Sequence, residues 1–174
     1  MTATSRIPLL PAEEHERRQR RSNSPLQPLW ALLDAVKDPE IPALSLWELG
    51  VLQDITRQGE EVVVTITPTY SGCPAMTVMA EDILQALADA GYPDSRVVTR
   101  LAPAWSTSWM SPEARDKLRT YGIAPPGECD AAVLSCPHCG SENVLTVSEF
   151  GSTACKALYQ CKDCAEPFDY FKPI

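Results

Sequence analysis

Cysteines are the residues best able to do chemistry in this chain, and four of them are paired by spacing. Cys136 and Cys139 form one C-x-x-C pair, Cys161 and Cys164 form another, and 21 residues separate the two pairs. Each pair turns sharply enough to direct two thiolates at one ion, and two pairs complete a tetrahedron. The sequence therefore predicts a structural zinc ribbon from Cys136 to Cys164.

The first pair, C-P-H-C, permits other chemistry as well. The same motif occurs in thiol–disulfide oxidoreductases, where it opens a helix after a strand in a βαβ unit. Here residues 144–150 and 157–160 predict a β-hairpin that leads to a second pair, which favours metal binding. Four thiolates could hold iron instead, but the chain has no evident redox partner, and zinc is favoured. We expect His138 on the solvent side rather than among the ligands.

Cys73 lies in T-P-T-Y-S-G-C-P, between a predicted strand and a predicted helix. Pro74 is expected at the first helical position, where free backbone amides and the helix dipole would favour a thiolate at Cys73. The other interpretation is a small buried cysteine, one of the residue types found inside most often. Local physics leaves both interpretations open.

Cys155 lies between the two C-x-x-C pairs but belongs to neither. A spare thiol in so small a module usually packs, yet residues 151–153 before it indicate a tight, exposed turn. We hypothesise that Cys155 lies near Cys73 across the domain interface and that the two thiols together ligate a transient metal cluster.

Length and charge limit the classes of protein that need to be considered. A chain of 174 residues that is 44% hydrophobic can form one core and one small module. It has no apolar run of the roughly 20 residues that span a bilayer, and its start lacks the features of a signal peptide, so we expect a cytoplasmic protein without membrane contact. The net charge of −8 argues against nucleic-acid binding.

The charges of the ribbon also argue against nucleic-acid binding. From Cys136 onward three lysines face five acidic residues, and there is no arginine to contact phosphates. Phe168, Tyr170 and Phe171 could form a docking surface there, but packing of the hairpin is the favoured interpretation.

Composition divides the chain into four parts. Residues 1–24 carry four arginines in H-E-R-R-Q-R-R but little apolar material, which predicts a disordered basic tail. Residues 25–126 form an α/β domain, residues 127–133 form a linker, and residues 134–174 form the ribbon.

The α/β domain shows six elements in the order α-β-β-α-β-α. Helical spacing follows Pro28 until Asp38; strands are predicted at 51–56, 62–67 and 96–101; and helices are predicted at 75–90 and 112–121. This order implies a small sheet with helices packed on it.

Four motifs in this domain resemble those of a known family. They are D-P-E-I-P at 38–42, E-L-G at 48–50, T-Y-S-G-C-P at 69–74 and P-A-W at 103–105. In this order they resemble the small α/β domain of cytosolic iron-sulfur assembly factors, including the bacterial SufT proteins.

With the ribbon included, the chain resembles the PaaD family, small accessory subunits of the bacterial phenylacetyl-coenzyme A 1,2-epoxidase system. The resemblance rests on the segments at 105–115, 121–123, 148–159 and 166–172.

The resemblance implies a role in aerobic phenylacetate breakdown. In that system a di-iron monooxygenase epoxidises the aromatic ring, with electrons from an iron-sulfur flavin reductase. The chain has neither a Glu-x-x-His pair for a di-iron centre nor a glycine-rich phosphate loop, so we do not expect it to carry that chemistry.

Kinship with assembly factors implies help in installing the iron-sulfur cluster of the reductase or the metal of the oxygenase, whose subunits would be the partners. Cys73 matches the family's reactive cysteine, and Asp38, Glu40 and Trp105 belong to its motifs. The alternative is a permanent structural subunit with no chemistry of its own. The sequence leaves open whether the chain forms homo-oligomers.

Overall fold

The computed structural model describes residues 12–127 and 134–174, which fold into two small sheets with helices on the first. Outside these ranges lie residues 1–11 of the predicted tail and residues 128–133 of the predicted linker. The helices are α1 (Ala12–Asn23), α2 (Gln27–Leu33), α3 (Met76–Asp89) and α4 (Pro112–Thr120), with a short 3-10 turn at Thr107–Trp109. The strands are β1 (Leu52–Gln58), β2 (Glu61–Ile66), β3 (Ser95–Thr99), β4 (Ile123–Ala124), β5 (Val144–Ser148), β6 (Lys156–Cys161) and β7 (Pro167–Phe171).

The first sheet has the strand order β1-β2-β3 and follows the predicted element order. β1 and β2 form an antiparallel hairpin, and β3 returns parallel to β2 after the crossover helix α3. Met79, Ile83 and Leu87 form the buried stripe of α3, as the helical spacing predicted. The mixed α/β class and the order of elements from α2 to α4 are therefore confirmed.

Both helix ends predicted around α4 are present. The Ser111 hydroxyl caps the helix by accepting the Ala114 N–H at 3.1 Å, and Pro112 occupies the first turn. Gly122 has φ +90°, a conformation that glycine adopts without strain, and the chain then enters β4.

The predicted disordered tail is wrong for residues 12–23, which form helix α1 on the α/β domain. The Arg17 guanidinium is buried against the Trp47 ring, 3.8 Å from its centroid, and pairs with Glu14. It also donates to three backbone carbonyls, those of Trp47, Leu52 and Trp109. Composition failed here because one arginine with a complete set of acceptors can be buried without apolar neighbours on its own helix.

The second sheet has the order β4-β7-β6-β5 and includes the ribbon hairpin. β5 and β6 are the two predicted hairpin strands, and β7 was not predicted as a strand. The end of the α/β domain enters this sheet, since β4 pairs in parallel with β7 through Ile123–Asp169 and Ala124–Tyr170. The two modules therefore share a sheet as well as a surface.

The two modules also share a core. Phe171 and Cys155 from the ribbon belong to the main apolar cluster. Phe168 packs in a smaller cluster beside the cysteines of the two C-x-x-C pairs, each of which forms a turn called a zinc knuckle. Packing was thus the correct interpretation for Phe168 and Phe171. Along the described ranges, no helix has both the length and the apolarity that a bilayer crossing requires.

Candidate functional site

The four knuckle cysteines converge on one point. Their sulfur atoms all lie within 4.8 Å of one another, with Cys136 and Cys164 3.8 Å apart and Cys139 and Cys161 3.6 Å apart. A tetrahedral ion with Zn–S bonds of about 2.3 Å holds its sulfurs about 3.8 Å from each other. The donor set and its spacing fit one zinc ion, and His138 is exposed outside this set.

Local backbone geometry forms each knuckle. Gly140 (φ 76°) and Ala165 (φ 64°) follow the second cysteine of each pair in the left-handed conformation that closes the turn. In the second knuckle the backbone N–H groups of Cys164 and Asp163 lower the pKa of the Cys161 thiol to about 7. The Asp163 carboxylate then joins the two knuckles by accepting bonds from Ser141 and Asn143 at 2.5 and 2.8 Å.

Cys73 lies farther from the start of the following helix than the sequence predicted. Helix α3 begins at Met76 with Ala75 as its cap, so Pro74 is not the first helical residue and Cys73 is two residues before the cap. Burial raises the pKa of the Cys73 thiol, an effect that the Ala75 N–H opposes, and the carboxylates of Glu40 and Asp38 raise it further. Of the two interpretations that the sequence leaves open, the raised pKa favours the half-buried neutral thiol over the thiolate.

Cys155 is presented by a turn tied to β7. The Gly151 N–H donates to the Lys156 carbonyl at 2.8 Å, and the Ser152 hydroxyl donates to Asp169 at 3.0 Å. A Cβ on Gly151 would lie 2.7 Å from a side-chain oxygen of Asp169, so a larger residue here would displace that carboxylate. Cys155 is buried beyond the turn with its sulfur 3.0 Å from the Thr153 hydroxyl, and burial raises the pKa of the thiol.

Cys73 and Cys155 line the same cavity, which lies between the α/β domain and the ribbon. Its volume is about 10 Å³, and Asp38 and Glu40 are also on its wall. The two cysteines therefore lie near each other across the domain interface, and their joint ligation of a cluster stays a prediction. A cavity of this size holds about one water.

Asp38 organises the loop that carries Glu40. Its carboxylate is buried and accepts the backbone N–H groups of Glu40 and Ile41 at 2.9 and 2.8 Å. Burial raises the pKa values of both Asp38 and Glu40. Asp38 and Glu40 of the D-P-E-I-P motif thus both line the cavity, and Asp38 holds the loop that positions Glu40.

Trp105 is brought close to the cavity but does not line it. The indole is buried, donates to the Leu49 carbonyl at 3.2 Å and packs on Phe171 with centroids 5.8 Å apart. Leu49 and Phe171 do line the cavity, so Trp105 supports its wall from behind.

Sequence reasoning missed two residues beside the cavity. Lys156 is buried, pairs with Asp169 at 3.6 Å, and its positive charge acts on Asp38, Glu40 and Cys155. Burial, with Cys73 nearby, raises the pKa of Tyr70 to about 12. The available signal was position alone, since Lys156 follows Cys155 and Tyr70 lies within the motif that contains Cys73.

Comparison with known proteins matches both modules. Residues 26–99 match the family described as iron-sulfur cluster assembly protein, and residues 127–172 match the family described as PaaD zinc beta ribbon domain. A protein of Escherichia coli (strain K12) that is described as a putative subunit of 1,2-phenylacetyl-CoA epoxidase is 50% identical over 151 residues, covering 84% of this chain and 92% of that protein.

Two further proteins match part of this chain. The "Fe-S protein maturation auxiliary factor" of Porphyromonas gingivalis (strain ATCC BAA-308 / W83) is 31% identical over 85 residues, 48% of this chain and 80% of that protein. The crystal structure of a domain of unknown function, DUF59, from Bacillus anthracis is 27% identical with a TM-score of 0.49, covering 60% of this chain and 95% of that one.

Proposed function

This chain belongs to the PaaD family of 1,2-phenylacetyl-CoA epoxidase subunits, and from that membership we propose that it is a non-catalytic accessory protein of such an epoxidase. Its task is the maturation of a metal centre in another subunit, namely the iron-sulfur cluster of the reductase or the iron of the oxygenase. The assembly-protein family matched by residues 26–99 supports the maturation part of this proposal.

One observation carries the proposal: two thiols from separate modules line the same cavity beside carboxylates. Cys73 comes from the α/β domain and Cys155 from the ribbon. Thiolates suit iron and iron-sulfur clusters, and a carboxylate such as Glu40 suits iron(II). The metal or cluster is cargo that passes to a client protein, whereas the zinc of the four-cysteine set is structural.

The protonation state of the two thiols makes metal binding at the cavity dependent on pH. Burial raises the pKa values of Cys73 and Cys155, so both thiols are neutral near pH 7 when no metal is bound. Metal binding must displace these protons, which makes affinity rise with pH. Because the closed cavity holds about one water, a cluster requires the ribbon to move away from the α/β domain, whereas a single ion needs less room.

The burial of Cys73 and Cys155 also supports a second function, that of a structural subunit. A permanent structural subunit would use Cys73 and Cys155 as packing residues, and the small cavity with neutral thiols is compatible with that role. The two functions differ in what happens to the clients, because only a maturation factor alters their metal content.

The deciding experiment replaces Cys73 by Ser in cells that make the complete epoxidase. Serine is close to cysteine in size, and Cys73 is half-buried before a helix, so the fold should remain intact. A hydroxyl is a poor soft-metal ligand and does not ionise near neutral pH, so transfer should fail. Val78→Ser provides the control, since Val78 is an exposed residue on the helix that follows.

The measurement is iron and acid-labile sulfide in the isolated reductase and iron in the isolated oxygenase. We expect reduced loading of one client with Cys73→Ser and normal loading with Val78→Ser. Normal loading of both clients with Cys73→Ser, together with growth on phenylacetate, would leave the structural subunit as the function.

A further inference from the structure

The outer strand of the ribbon exposes apolar side chains that the fold does not use. Leu145 is 49% exposed and Val147 53%, and Phe150 just beyond the strand is 67% exposed. Within the described ranges, seven large apolar side chains are exposed, and these three lie within six residues of one another. A concentration of this kind marks an interaction site more often than isolated exposed residues do.

The backbone of the same segment is also available for pairing. β5 ends the strand order β4-β7-β6-β5 and pairs with β6 alone among the strands that the structure describes. Val144–Ser148 contains neither a proline nor a charged residue, two of the devices that protect a sheet edge, so its protection is limited to its short length and a bulge. A bulge between Thr146 and Ser148 interrupts the ladder, so an added strand would pair along 144–146 and contact Val147 and Phe150 through side chains.

Charge decides what kind of partner fits. Residues 142–150 carry Glu142 and Glu149 at the two ends of the apolar segment and no basic residue. Antiparallel pairing of β5 with β5 of a second copy would place Glu142 of one copy near Glu149 of the other, and like charges facing each other are destabilising. A segment with an apolar centre and basic ends is complementary instead. Lys172 lies on one side of the Phe150 ring at 4.6 Å and leaves the remainder of the ring exposed.

We propose that β5, with Leu145, Val147 and Phe150, is the docking edge for an extended segment of another epoxidase subunit, one with apolar side chains flanked by lysine or arginine. The identity of the partner rests on the proposed function, because an accessory protein of an epoxidase implies further subunits for it to contact. The edge lies on the strand farthest from β4, where the ribbon joins the α/β domain, so a segment docked here does not cover the contact between the two modules.

Binding is tested with the epoxidase complex purified from cells that lack this chain, to which the purified full-length protein is added. The variant is Leu145→Lys with Val147→Lys, which removes the apolar contacts and adds charge that repels a basic partner. Leu101→Lys is the matched control, since Leu101 is 57% exposed in the segment after β3. Zinc content of each variant reports whether the ribbon has kept its fold.

We expect the double variant to bind roughly tenfold more weakly or worse and Leu101→Lys to bind like the wild type. Should the double variant lose zinc, Phe150→Ser replaces it, because Phe150 lies outside the strand and its side chain is 67% exposed. Wild-type affinity of these variants, or equal loss with Leu101→Lys, overturns the docking edge. So does sedimentation showing a dimer of this chain that the double variant converts to monomer. Client metal loading is measured separately, so failure of maturation and failure of docking are distinguishable.

Discussion

Arg17→Ala should release helix α1 from the α/β domain. The guanidinium and its partner Glu14 are each only 1% exposed, and the side chain donates to Glu14 and to three backbone carbonyls. Alanine would leave those carbonyls without their donor and would leave the Glu14 carboxylate with Arg18 as its remaining partner. It would also remove the cation that lies 3.8 Å from the Trp47 ring centroid.

The magnitude follows from burial. Removing one member of a buried ion pair costs about 3–5 kcal/mol when the remaining charge has no partner. Because Arg18 still pairs with Glu14, we expect the low end of this range, about 3 kcal/mol, mostly from the three carbonyls that lose their donor. Arg20→Ala on the same helix is the control: Arg20 is exposed, and the loss of its favourable charge near the helix C-terminus costs at most about 1 kcal/mol.

Two measurements separate local from global effects. Urea unfolding in excess zinc gives the free energy of unfolding, and amide hydrogen exchange of residues 12–23 reports opening of α1 alone. We expect a large loss of protection in α1 with Arg17→Ala and little change with Arg20→Ala. Equal, small effects of both variants would refute the idea that a buried arginine holds this helix in place.

Two further predictions concern zinc and pH. The ribbon should hold one zinc per chain by elemental analysis; Cys136→Ser should abolish it and speed alkylation of Cys73, because the ribbon wall of the cavity depends on the metal. Glu48→Gln should destabilise the fold at neutral pH and have no effect in acid. Burial raises the pKa of Glu48, but hydrogen bonds from Lys117 and from the Ser45 N–H outweigh it and lower the pKa below 4.5. Its stabilisation is thus present above pH 4.5 and is lost as pH falls through the folded-state pKa, which urea unfolding of both proteins across pH 3–7 would reveal.

Most of the α/β domain was predictable because its signals are local. The stripe of α3 and the cap at Ser111 depend on residues within one or two turns of each other, and the structure reproduces both. Helix α1 was missed because the bonds that hold it connect Arg17 to carbonyls 30, 35 and 92 residues away. β4 was missed because it is only two residues long and its partner residues in β7 are 46 positions away in the sequence.

In the candidate site, too, the features set by neighbouring residues were predictable and those set by distant residues were not. Ligand spacing within each knuckle is local, so the four-cysteine set could be derived from the sequence. The environment of Cys73 could not, because the pKa of its thiol depends on burial in the folded protein and on carboxylates more than 30 residues earlier. A favourable helix terminus was expected where the chain makes a further turn before α3 begins.

The zinc site and the cavity are linked by strand β6. Lys156, its first residue, follows Cys155, and Cys161, its last, belongs to the four-cysteine set, so a strand of about 20 Å connects the cavity to that set. β7 reinforces the link, since Phe171 pairs with Lys156 at one end and packs on Trp105 in the α/β domain. Metal that fixes Cys161 therefore also fixes the direction in which β6 presents Cys155. A structural ion can in this way decide whether two thiols from different modules face each other, although it takes no part in what they bind.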